Sequence, residues 1–146
     1  MAEKPLAAIR EFRREDINKI LEIEQQAFPK TAYSKGTFLS YAKSFPDGFL
    51  VLETGTDIAG YIIFDRSGHI HSTAVKLTYR RKGFGTMLFK HAVSCTQKRL
   101  WLEVRSKNSS AIGFYHSVGM KIIERIPNYY RNDDALIMIL DDKKYL

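Results

Sequence analysis

Between positions 80 and 86 the chain reads Arg80-Arg81-Lys82-Gly83-Phe84-Gly85-Thr86, three cations directly before a Gly-x-Gly turn. Glycine lets a backbone approach a phosphate closely, and neighbouring cations add Coulomb attraction. If a helix starts here, its first-turn N–H groups lack partners and carry partial positive charge, completing an anion site. A pyrophosphate is the ligand such a segment would hold. Two rival phosphate motifs fail on spacing: there is no Gly-x-x-x-x-Gly-Lys-Ser/Thr, and the third glycine of a dinucleotide fingerprint is missing. Two histidines, His69 and His71, lie two residues apart, and with no third ligand in view a metal site is not expected. His91 and His116 read as structural.

The elements around this turn follow from periodicity. A strand is predicted over 8–12, then a helix from about residue 15, with Ile17, Ile20, Leu21, Ala27 and Phe28 as its stripe and Pro29 as its stop. A second helix is predicted over 35–42, capped by Ser34. Residues 49–53 and 58–64 read as a hairpin, and 69–77 as a further strand. The helix after the basic turn places Phe84, Met87, Leu88, His91, Ala92 and Cys95 on one face. A strand over 100–104, a helix over 109–117 ended by Gly119, and strands over 120–125 and 135–140 complete the pattern. The expectation is an α+β fold: one domain over 1–146, a mixed sheet flanked by helices.

Size and composition agree with that reading. The chain has 146 residues, 45% hydrophobic and 27% charged, which suits one soluble core. No apolar run approaches the roughly 20 residues of a membrane span and no secretory signal stands at the N-terminus, so a cytoplasmic location without membrane association is expected. The single cysteine, Cys95, fits a reducing compartment. The net charge of +7, from 23 Lys and Arg against 16 Asp and Glu, favours polyanions, either nucleic acid or a phosphate-bearing cofactor.

The segment holding Arg80, Gly83 and Gly85 resembles the Gln/Arg-x-x-Gly-x-Gly/Ala motif of the GNAT superfamily of N-acetyltransferases. Leu102-Glu103-Val104-Arg105, then Asn108, Ala111, Phe114-Tyr115 and Gly119, resembles the run found in the branch that acetylates protein N-termini. That branch includes the bacterial ribosomal-protein alanine acetyltransferase and the Ard1-type enzymes. Arg125, Tyr129-Tyr130 and Asp134-Ala135-Leu136-x-Met138 continue the match, and Gly68-His69-Ile70 and Ala74-Val75-Lys76 look Ard1-like. The resemblance covers about half the chain closely and implies the GNAT acyl-coenzyme A N-acyltransferase fold, with acetyl-coenzyme A as co-substrate and no metal.

It further implies that the loop from Arg80 to Thr86 grips the coenzyme pyrophosphate. The strand with Thr73, Ala74 and Val75 would splay and bind acetyl and pantetheine through its backbone, where fixed N–H donors stabilise the developing thioester oxyanion. Asn108 would bond the coenzyme, and Tyr115 would lie near its sulfur. Glu103, alone acidic in an apolar run, is the candidate base, direct or through one water, its pKa expected to be raised by partial burial. Tyr115 would then protonate the departing thiolate. His69 and His71 should line the groove to the thioester, and Tyr33, Tyr129 and Tyr130 should wall an acceptor peptide, the last two from between the final strands. Some Ard1-type enzymes carry an acidic residue after a Leu-Pro in the loop where Phe28-Pro29 is here followed by Lys30, so their preference for acidic or small N-termini is not implied.

The leading function is acetylation of a protein or peptide N-terminal α-amine, by a monomer or weak homodimer. A terminal amine, of pKa near 7.7 to 8.0 against about 10.4 for lysine, needs less help to become nucleophilic. The alternatives are acetylation of a lysine side chain or small amine, and, in another class, a non-catalytic coenzyme-binding module or nucleic-acid binder. Both Glu103 and Tyr115 are retained, against a dead enzyme, and aromatic residues among exposed cations are too sparse for base stacking, so no specific nucleic-acid partner is expected.

Overall fold

The computed structural model describes residues 7–97 and 99–141. The elements are β1 (Ala7–Glu11), α1 (Ile17–Ala27), α2 (Lys35–Ser44), β2 (Phe49–Thr54), β3 (Asp57–Phe64), β4 (Ile70–Val75), α3 (Phe84–Cys95), β5 (Arg99–Arg105), α4 (Ser109–Ser117), β6 (Lys121–Tyr130) and β7 (Asp133–Asp141). Strands β1-β2-β3-β4 form one antiparallel sheet, and β5-β7-β6 a second. Among the described residues one isolated parallel bridge, His69 to Trp101, joins the two, and the Trp101 amide donates to the Gly68 carbonyl at 2.9 Å. Beyond that bridge β4 and β5 carry no common ladder, and a cleft opens between them.

Gly68 makes the junction possible. Its φ is +88°, and a Cβ there would stand 2.2 Å from the Arg99 carbonyl oxygen, a distance no side chain tolerates. Burial follows the period of two along β2: Leu50 and Leu52 enter the core shared with α3, β5 and β7, while Phe49 and Val51 enter the core under α1 and α2. The first sheet is thus covered on both faces, which is why its central strands read as nearly continuous apolar runs. Ser34 caps α2, its Oγ accepting from the Thr37 amide at 3.2 Å, a contact worth about 1 kcal/mol. Among the described residues no helix is long and apolar enough to cross a membrane.

Three expectations change. On α3 the buried residues are Leu88, Phe89, Ala92 and Val93, whereas Met87, His91 and Cys95 are exposed, so His91 has no core role. Periodicity locates the centre of the stripe, Leu88 and Ala92, but distant strands decide which flank is covered. On α1 the buried face is Ile17, Ile20, Ile23 and Glu24, placing an acid in the core. Strand β6 runs on to Tyr130, so Tyr129 and Tyr130 lie within the last hairpin's outer strand and not in a loop between strands.

Candidate active site

Strand β5 buries Leu100, Leu102 and Val104 and leaves Trp101, Glu103 and Arg105 half-buried on its other face. That face borders the divergence from β4. A cleft of about 780 Å³ lies there, and Glu103, Tyr115, Asn108, Thr73, Tyr33 and Tyr130 line it. His71 also lines it, as expected, whereas His69 does not and touches the cleft only through its bond to Glu103. These residues come from β4, β5, α4, β6 and the loop between α1 and α2, and the splay of the two strands is what brings them together.

His69 lies flat on Trp101, ring centroids 3.9 Å apart and 12° between planes. This stack fixes its Nε2 at 2.9 Å from Oε1 and 3.0 Å from Oε2 of Glu103. The expected upward shift of Glu103 does not occur. The hydrogen bond from His69 outweighs the opposing effect of burial and holds the carboxyl below its ordinary range. Glu103 is accordingly an ionised carboxylate at neutral pH, oriented by an imidazole. Tyr115 is displaced the other way: burial, with Tyr130 adding to it, pushes its phenol up to about 12, so it keeps its proton.

One wall of the cleft is built around a buried acid, Glu24, that periodicity alone did not single out. Glu24 is 1% exposed, accepts the Tyr33 amide at 2.9 Å and receives the Tyr61 hydroxyl, which also contacts Ser72 Oγ at 2.9 Å. The loop carrying Tyr33 is thereby tied to α1 and to β3. A charged residue on the apolar face of α1, beside Ile20 and Ile23, was the available signal. On the opposite wall the Arg105 guanidinium sits 4.2 Å over the Tyr130 ring, a cation–π contact. Tyr129, 51% exposed and edge-on to Tyr130, does not line the cleft.

The basic turn lies after the end of β4 and leads into α3. Arg81 and Gly83 both adopt left-handed conformations, φ 64° and 82°, and Gly83 occupies the N-cap of α3 with no side-chain cap, leaving the first-turn amides of the helix available. Arg80 Nε donates to the Val75 carbonyl at 3.0 Å, anchoring the turn to β4. A Cβ on Gly85 would stand 3.3 Å from the Phe114 ring, so α3 starts pressed against α4. Arg81 and Lys82 are exposed; Phe84 and Thr86 are half-buried on the first turn, and Ala74 and Val75 are half-buried at the end of β4. Asn108 caps α4 through its Oδ1, which accepts the Ala111 amide at 3.1 Å. Its amide nitrogen is the group left for a ligand. His116 bonds the Met120 carbonyl at 3.2 Å, in keeping with a structural role.

Asp65 is the third ligand-type group that was not in view along the chain. Its Oδ2 is 3.0 Å from His71 Nε2 and 4.0 Å from His69 Nδ1. The turn between β3 and β4 folds this aspartate back onto the strand, a closure that spacing along the chain did not reveal.

Solved structures place the fold among the N-acetyltransferases. Ard1 from Thermoplasma volcanium superposes with a TM-score of 0.85 at 29% identity, over 94% of this chain and 99% of that one. The model of the acetyltransferase (GNAT) family matches residues 16–120, and the chain belongs to that family. Among its relatives, an N-alpha-acetyltransferase of Sulfurisphaera tokodaii is 30% identical, with 89% of this chain and 90% of the relative covered. The ribosomal protein bS18-alanine N-acetyltransferase of Escherichia coli K12 is 33% identical, with 86% and 90% covered. Homologues of this chain thus include enzymes named for acetylating protein N-termini.

Proposed function

We propose that this acetyltransferase transfers the acetyl group of acetyl-coenzyme A to the N-terminal α-amine of a protein or peptide. The observation that carries the reading is the cleft itself, which holds an ionised Glu103 and a protonated Tyr115 with Tyr33 and Tyr130 in its lining. The names of the Sulfurisphaera and Escherichia coli relatives support the choice of acceptor.

In this reading the turn from Arg80 to Thr86 holds the pyrophosphate through the α3 amides and its cations. The free edge of β4 at Thr73, Ala74 and Val75 holds the pantetheine arm and the thioester oxygen, and the Asn108 amide adds a donor. Tyr33 and Tyr130 flank the peptide, with Glu24 keeping the Tyr33 loop in place. The amine nitrogen bonds the thioester carbon and the carbon–sulfur bond breaks. The proton leaving nitrogen passes to Glu103, directly or through one water, while Tyr115 gives its proton to the thiolate and recovers one from solvent. A Glu103 carboxyl held low is a weak base for a free ammonium, so its work falls at the attack step, where nitrogen acidifies as the bond forms. His69 keeps the carboxylate aimed.

The test is incubation with acetyl-coenzyme A and short peptides that differ at position one, alongside N-terminally blocked peptides with a free lysine. Acetylation of the free N-termini is expected. Acetylation confined to the blocked peptides would refute the acceptor assignment.

A further inference from the structure

The two carboxylate oxygens of Asp65 have different tasks. Oδ1 accepts the Ser67 amide at 2.9 Å, the Ser67 hydroxyl at 2.5 Å and the His69 amide at 3.2 Å, which fixes the turn. Oδ2 is left to the two imidazoles, and the three ligand-type atoms of Asp65, His69 and His71 all lie within 4.8 Å of one another. His69 Nε2 is engaged by Glu103 at 2.9 and 3.0 Å, and its Nδ1 stands 4.0 Å from Asp65 Oδ2, too far for a hydrogen bond. A cation between these atoms would satisfy both.

Two imidazoles and one carboxylate are a ligand set for zinc and its neighbours. Bonds of about 2.0–2.2 Å in a tetrahedral site place ligand atoms roughly 3.3–3.6 Å apart; the Asp65 separations of 3.0 and 4.0 Å bracket that value, and the two imidazole nitrogens, within 4.8 Å of each other, close by at most about 1.5 Å. Both rings are held in place: His69 stacks on Trp101, and His71 stacks on Phe45 at 4.8 Å and 23°. Their side chains are 18% and 19% exposed and that of Asp65 24%, so the cluster is in contact with solvent. The bond from His69 to Glu103 supplies the outer carboxylate that commonly orients a metal-bound histidine.

We propose that Asp65, His69 and His71 bind one divalent transition-metal ion of the zinc type, and that its occupancy slows acetyl transfer by binding His69 and Glu103 into one rigid unit. The second half rests on the acetyl-transfer function proposed above. A metal on Nδ1 draws electron density from the ring, strengthens the Nε2–H bond to Glu103 and makes that carboxylate a poorer acceptor for the amine proton.

The site is tested without substrate by titrating chelator-treated protein with cobalt(II) and displacing it with zinc. One equivalent should produce the visible absorption of tetrahedral cobalt. Asp65→Asn, whose amide oxygen can still accept the bonds that fix the turn, and His71→Ala should each abolish it while remaining folded, with Asp65→Ala a further loss-of-site variant that melts lower because those bonds are gone. Glu103→Gln should retain the band with affinity weakened about 10- to 100-fold. No cobalt band in the wild type would overturn the site, as would a band undiminished in both Asp65 and His71 variants. In the activity arm zinc should inhibit wild-type turnover over the range that displaces cobalt and leave an Asp65→Ala enzyme insensitive. Zinc binding without inhibition would overturn the regulatory half. Intact metal binding in a protein that acetylates nothing would count against the proposed function and not against the site.

Discussion

Replacing Glu103 by Gln keeps the length and planarity of the side chain and its place opposite His69 Nε2, 2.9 Å from the nearer oxygen, while removing the charge. The fold should be indifferent, because Leu102 and Val104 on the other face of β5 carry the packing. Loss of a positioned base costs about 10²- to 10⁴-fold in turnover, equivalent to roughly 3–5 kcal/mol at the transition state. Coenzyme affinity should hardly move, since the anion-binding turn is on a different element. High pH is no substitute for the base. With an amine pKa near 7.8, about one amine in seven is neutral at pH 7 and nearly all are at pH 9, a gain of about sevenfold that wild type shares, so the ratio of variant to wild-type turnover should stay low across the range. The assay is steady-state acetylation of a peptide from pH 7 to 9, with calorimetry of acetyl-coenzyme A as control. Near-normal turnover of Glu103→Gln at pH 7 would refute the reasoning and move proton removal to His71 or a solvent-linked water.

Gly85→Val places branched carbon where a single Cβ already stands 3.3 Å from Phe114, so it should separate α3 from α4 and raise the dissociation constant for acetyl-coenzyme A at least tenfold; unchanged binding by a folded variant would remove the turn from the coenzyme site. Tyr115→Phe removes a phenol whose pKa is about 12, so turnover relative to wild type should fall and stay low up to pH 9, and a ratio that returns toward one over that range would contradict its role as acid. Acid stability should depend on Asp16. Burial would raise its carboxyl, but hydrogen bonds from the Arg10 guanidinium at 2.8 and 3.0 Å and from the Arg13 amide prevail and lower it. A depressed folded pKa gives stability that is full above the unfolded value near 3.9 and lost as pH falls through the folded one. Asp16→Asn should therefore cost about 1–3 kcal/mol in urea melts at pH 7, with the gap to wild type closing below pH 4. A gap independent of pH would refute the linkage.

Much of this was legible in the sequence, for identifiable reasons. Turn glycines and helix periods depend on local chemistry, so the 109–117 helix and the Gly83 helix start stand where the pattern put them. The candidate residues Glu103, Tyr115, Asn108, Thr73, Tyr33 and Tyr130 could be named because the motif resemblance supplied their grouping, which the cleft then displays. What escaped depends on contacts between distant segments. The lowered Glu103 carboxyl requires His69, 34 positions away, and Asp65 joins the histidines only because its turn folds back. Tyr129 was misplaced for a related reason: adjacent residues of a strand point to opposite faces, so a tyrosine pair cannot share one groove.

The most direct measurement is an internal competition. A single peptide with both a free N-terminus and a lysine is acetylated to low conversion at pH 7 in metal-free buffer, and fragmentation by tandem mass spectrometry locates the acetyl group. The account predicts acetyl on the α-amine, at a rate that collapses in Glu103→Gln. Acetyl on the lysine side chain, or a rate indifferent to that substitution, would contradict it.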